Sequence, residues 1–122
     1  MTELLDTLKG LSHDTELFYD YIIELGQDLD DLSEIRTPEN FVDGCQSAVW
    51  VAVKDNKFIV DSDAFLVKGV AKIITEQANS LTDTSELSLN MFSDITKFLT
   101  TQRQRGMQAI INRIRKLSSE DL

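Results

Sequence analysis

The feature that most limits the fold is a change of period in the middle of the chain. Ala48-Val49-Trp50-Val51-Ala52-Val53 is a β-branched and aromatic run, Asp55-Asn56-Lys57 is a turn, and Phe58-Ile59-Val60 returns. Branched and aromatic side chains pack well on a pleated surface, so the two runs predict a β-hairpin around residues 47-60. A hairpin alone is marginal in water and needs a backing layer. The flanking segments supply one, because their apolar residues recur at helical spacing.

Upstream, Leu4, Leu5, Leu8 and Leu11 predict a short first helix ending near Gly10 to Ser12. Asp14 is placed to cap a second, with Leu17, Phe18, Tyr21, Ile22 and Leu25 as its apolar stripe and Gly26 closing it. Gln27 to Asn40 is acidic, holds the only proline, Pro38, and reads as an irregular connection. Downstream, Asp63 stands where an N-cap belongs, ahead of a helix that buries Leu66, Val67, Val70, Ile73 and Ile74 and frays near Asn79. Thr82 to Leu99 reads as one or two short helices packed through Leu87, Leu89, Phe92, Ile95 and Phe98. The last helix starts near Thr101 or Gln102, with Met107, Ile110, Ile111, Ile114 and Leu117 as its seam. Helices before, a hairpin between and helices after make an α+β fold, expected as one domain over residues 1-122.

Charge and cysteine count then narrow function by exclusion. Against 12 Lys plus Arg stand 21 Asp plus Glu, a net charge of -9, so no global positive field exists to track nucleic-acid phosphates. The charge is polarised: residues 1-61 hold 4 basic and 14 acidic side chains, whereas Lys97 to Lys116 contains six basic residues and no acidic one. No apolar run approaches the roughly 20 residues of a membrane span. Met1 to Lys9 lacks the basic and then apolar pattern of a secretory signal. The expectation is a soluble, cytoplasmic protein. With one cysteine and one histidine, the chain can form neither an internal disulfide nor a Cys/His zinc cage.

Cys45 is the leading chemical candidate. It lies in Asp43-Gly44-Cys45-Gln46-Ser47, on a loop entering the Trp50 strand, and Gly44 permits backbone angles closed to other residues. Two readings stay open: a small buried hydrophobe, or a loop thiol that reacts when ionised. Asp43, if close, would raise the thiol pKa. The lone His13 is remote in sequence and reads as a solvated residue near a cap, which argues against a Cys-His protease. No spacing singles out a catalytic carboxylate pair; Asp61 and Asp63 flank Ser62, where capping by Asp63 suffices as an explanation. Gly44, Gly69 and Gly106 are too scattered for a phosphate loop. Trp50 and Phe58 read as core. Arg103, Arg105, Arg113, Arg115 and Lys116 are either a partner-binding face or the polar side of an amphipathic helix.

The stretch Pro38-Glu39-Asn40-Phe41-Val42-Asp43-Gly44-Cys45-Gln46-Ser47-Ala48-Val49-Trp50 resembles the signature of the SufE family, sulfur-acceptor proteins of iron–sulfur cluster assembly. The similarity continues through Asp61-Ser62-Asp63-Ala64 and Leu66-Val67-Lys68-Gly69, and resumes at Arg103 and Gly106. Position 43 departs from it, being Asp where members often carry Pro or His, as does Thr101-Gln102 in place of a common Pro-Ser. The resemblance implies a SufE-like fold in which Cys45 accepts persulfide sulfur from a SufS-type cysteine desulfurase and stimulates its turnover. The sulfur would then pass to a SufBCD-type scaffold, or to a different acceptor pathway. Gly44, Gln46, Ser47 and Arg103 would support the thiol, Gln46 and Ser47 by shaping the loop and Arg103 by favouring the thiolate or holding the docking surface. No cofactor is implied in this chain, since pyridoxal phosphate belongs to the desulfurase. Nor is a metal, nucleic acid or membrane, and the chain is a sulfur-transfer partner rather than an enzyme, as monomer or dimer. The competing reading is a binding module whose cysteine is incidental.

Overall fold

A two-residue turn sets the register of the hairpin. Asp55 and Asn56 both adopt positive φ, 53° and 64°, the combination that matches the right-handed twist of the flanking strands. Strands β1 (Val49–Lys54) and β2 (Lys57–Ser62) pair antiparallel from Lys54↔Lys57 to Val49↔Ser62. Lys57, expected in the turn, is therefore the first residue of β2: only two residues are needed to reverse the chain. The computed structural model describes residues 6–7, 10–11, 14–27, 32–45 and 47–120. Leu4, Leu5, Leu8, His13 and Gln46 lie outside the described residues, as does most of the first predicted helix.

Both ends of the exposed edge of β2 are capped by side chains. Val42 N–H donates to Val49 O at 2.9 Å, so the Val49–Ser62 pair is one whose polar groups point away from the partner strand. By alternation Phe58 also points outward. Asn79 takes both its groups, accepting from Phe58 N at 2.8 Å and donating to Phe58 O at 3.0 Å, while Arg36 donates to Ser62 O at 3.2 Å. An edge covered in this way offers little for another strand to pair with.

The hairpin lies on helix α2 (Phe65–Ser80), and helix α1 (Thr15–Gly26) lies against α2. Asp14 caps α1, its carboxylate accepting from Leu17 N at 3.2 Å. Gly26 ends α1, but its function is close approach rather than a turn. A Cβ there would sit 1.9 Å from Phe65 O, and one on Gly69 would sit 2.0 Å from Ile22 O. Two facing glycines thus bring the helix backbones together. Leu17, assigned to the buried stripe, is 49% exposed, while Phe18 and Ile22 are fully buried. Asp63 is not the cap of α2. The helix starts one residue later than that role requires, with Ala64 at the N-cap, and Ser62 Oγ accepts from Ala64 N at 3.3 Å instead.

Between α2 and the last helix run two 3₁₀ turns, Thr84–Glu86 and Leu89–Phe92, and a one-turn helix α3 (Ser93–Thr96). Leu87, Phe92 and Ile95 are buried as expected, and Leu89 and Phe98 are partly so. Tyr19 O–H donates to Phe98 O, fastening this segment to α1. Helix α4 (Thr101–Glu120) buries Met107, Ile110, Ile111 and Ile114 in the common core with Val49, Val51, Ile73 and Ile74. Each such side chain contributes about 1.5–3 kcal/mol by leaving water. The architecture is α+β, a two-stranded antiparallel sheet with four α-helices among the described residues. No helix among them is long and apolar enough to cross a membrane.

One polar cluster sits inside this frame. Asp61 and Lys68, 3% and 7% exposed, pair at 3.2 Å, and Arg36 Nε reaches the other Asp61 oxygen at 2.6 Å. The Arg36 guanidinium also lies 4.8 Å from the centre of the Trp50 ring. Burial pushes the Asp61 carboxyl up, but hydrogen bonds from Arg36, Lys68 and the Ser62 backbone outweigh it and hold the pKa below the ordinary value.

Candidate functional site

The Cys45 loop leaves the sheet at a closed base and crosses the face of α4. Its base is the Val42 N–H to Val49 O bond. On the entering limb, Arg113 of α4 donates to Glu39 O at 3.2 Å and to Phe41 O at 2.8 Å. On the leaving limb, Ala48 O accepts from Ser62 Oγ at 2.7 Å and from Asp63 N at 3.4 Å. At the tip Gly44 has φ +100°, a backbone region that disfavours any residue with a Cβ. That kink turns the next side chain, Cys45, inward.

Cys45 is half-buried, and its Sγ–H donates to Gly106 O at 3.5 Å. Beneath it is a cavity of about 30 Å³, room for one or two water-sized groups. Its walls are mostly apolar: Val67 and Val70 from α2, Leu99, and Met107 and Ile110 from α4. Ser47, Gln102 and Arg103 supply the polar rim. Burial pushes the Cys45 thiol pKa up to about 11. Asp43, exposed on the outer side of the turn, adds nothing to that shift, and Arg103 does not reverse it. The resting thiol is therefore protonated at neutral pH, and as an S–H it has one acceptor, the Gly106 carbonyl.

The structure thus brings together Cys45, Ser47 and Arg103 around one cavity, with Gly44 shaping the loop behind the thiol. Arg103 stands in the first turn of α4, its backbone N–H bonded to Thr100 Oγ1 at 3.2 Å, and its guanidinium has no acidic partner among the described residues. In sequence Val67, Val70, Met107 and Ile110 read only as buried helix faces, and Leu99 is not singled out. The helical spacing of Arg103, Gly106, Met107 and Ile110 is the signal that could have joined them to the arginine.

Compared with models of known protein families, the chain matches SufE, the Fe-S metabolism associated domain, over residues 2–118. The chain belongs to the SufE family. That match spans both the cysteine loop and α4, so the two walls of the cavity fall within one SufE domain, and it associates the chain with iron–sulfur metabolism.

Proposed function

We propose that this SufE-family chain is a sulfur acceptor and carrier for a SufS-type cysteine desulfurase, with Cys45 as the acceptor. The observation that carries the reading is the placement of its single cysteine. The thiol sits at the kinked tip of a loop, over a small, mostly apolar cavity large enough for one further sulfur atom.

In the transfer, Cys45 as thiolate attacks the outer sulfur of the desulfurase persulfide. The new S–S bond forms on Cys45, the old one breaks, and the desulfurase cysteine leaves as thiolate, with no net oxidation or reduction. A thiol held protonated by burial and bonded to Gly106 O is a poor nucleophile, so the loop must lift before reaction. Returned to the cavity, the persulfide would be screened from reductants and oxidants. Ser47 shapes the loop, and Arg103 faces the docking partner from the rim. The pyridoxal phosphate chemistry stays in the desulfurase. The sulfur then passes to a SufBCD-type scaffold, and the chain acts in the cytoplasm as a transfer partner without turnover of its own.

Cys45→Ser tests this directly. Added to a matched desulfurase with free cysteine, the wild-type chain raises turnover and Cys45→Ser does not. Full stimulation by Cys45→Ser would make the chain a binding activator instead. Fast, complete labelling of the free protein by a bulky thiol reagent would contradict the covered resting state.

A further inference from the structure

We propose that Arg113 is a positioning residue, a latch that holds the Cys45 loop shut against α4. The inference rests on reading Cys45 as the sulfur acceptor, and concerns what controls access to it.

Gly106, Ala109 and Arg113 follow one another at three and four residues along α4, so they form a single stripe of that helix. Each meets the segment that carries the thiol. Gly106 O accepts from Cys45 Sγ at 3.5 Å, and a Cβ on Gly44 would stand 3.4 Å from the Ala109 Cβ. Both contacts are weak, a poor thiol donor and a van der Waals touch. Arg113 differs in kind. Its two terminal nitrogens hold Glu39 O at 3.2 Å and Phe41 O at 2.8 Å, a charged fork on two carbonyls of one chain segment. Phe41 adjoins Val42, whose bond to Val49 closes the loop base, so the fork fixes the orientation of that base on the helix. Released from Arg113, the base lifts from α4, and Gly44 and Cys45 lose their weak contacts with it.

The test is the rate at which iodoacetamide alkylates Cys45 in the folded protein, followed at several urea concentrations below the unfolding transition. Arg113→Met is expected to react about tenfold faster than wild type, the effect of losing a pair of charge-assisted bonds. The urea dependence should stay much shallower than that of global unfolding, marking local opening. Arg113→Lys, which keeps the charge but not the fork, restores part of the protection, and Arg115→Met, altering an exposed residue of the same helix, reacts as wild type. A wild-type rate in Arg113→Met overturns the latch. So does an increase that carries the full urea slope of unfolding, since Arg113 would then stabilise the fold without controlling the loop. The readout involves no desulfurase, so a latch can be found even if Cys45 takes up no sulfur, and the reverse.

Discussion

Two sites of this molecule bury ionisable groups in opposite ways. At the corner between β2 and α2, Asp61 is held by Lys68 at 3.2 Å and Arg36 at 2.6 Å, so every charge has a partner. At the loop on α4, Cys45 has one weak bond, to Gly106 O, above an apolar cavity. The first site is fully satisfied and fixes where strand meets helix. At the second the thiol itself is covered but weakly bonded, while the loop that carries it is held by Arg113, which suits the proposed acceptor that leaves its pocket to react. Complete pairing marks a joint of the scaffold, and sparse pairing fits the thiol that is proposed to lift.

Breaking the well-paired site should cost most. Asp61→Ala leaves Lys68 buried without its counter-charge, and urea unfolding should show a loss of about 3–5 kcal/mol. A loss under 1 kcal/mol would mean that water replaces the carboxylate and that the corner is no rigid joint. Cys45→Ser, by contrast, should leave global stability within about 1 kcal/mol of wild type.

Glycines sharpen the same contrast. At Gly69 an added Cβ meets Ile22 O at 2.0 Å, a backbone atom that cannot step aside, so Gly69→Ala must separate α1 from α2 at a cost of about 3 kcal/mol. At Gly106 the nearest atom to such a Cβ is Cys45 Sγ at 3.6 Å, an ordinary contact. Gly106→Ala should therefore gain up to about 1 kcal/mol from better helix propensity. Its methyl also narrows the thiol cavity, and persulfide on Cys45 should be lost to reductant faster than in wild type. Equal stability changes for the two variants, read from thermal or urea midpoints, would contradict this account of the packing.

The pH effects show only towards the ends of the pH range. Asp61 has its pKa lowered from the ordinary 3.8, so its stabilisation is present above that value and is lost as pH falls through the folded pKa. Cys45 runs the other way. Raised from 9.0 to about 11, it contributes stability that is intact below pH 9.0 and is lost as pH rises towards 11. Subtracting the Cys45→Ala profile from wild type should isolate an alkaline limb in that window, and subtracting Asp61→Asn an acid limb below 3.8. An alkaline limb unchanged in Cys45→Ala would mean the thiol is not buried in solution.

The hairpin and the helical seams were legible in sequence because periodicity reports which faces are buried. Composition makes the turn one residue too long, since it marks Asp55-Asn56-Lys57 as polar but not which residues take positive φ. What stayed hidden depends on distant partners. Gly26 looked like a helix terminator, yet it serves the approach of α2. Arg36 and Lys68 draw no role from sequence, because nothing local says that both converge on Asp61. Likewise, the residues themselves offered Cys45 as a loop thiol or a small hydrophobe. Arg103 was joined to it by family resemblance, and the shared cavity emerged only when α4 was seen to pass beneath the loop.

The most direct test of the central claim is the intact mass of the chain after incubation with a cysteine desulfurase and free cysteine, followed by peptide mapping. The account predicts a gain of one sulfur atom, located on Cys45 and removed by reductant. No gain on Cys45, under conditions where the desulfurase itself becomes persulfidated, would contradict it.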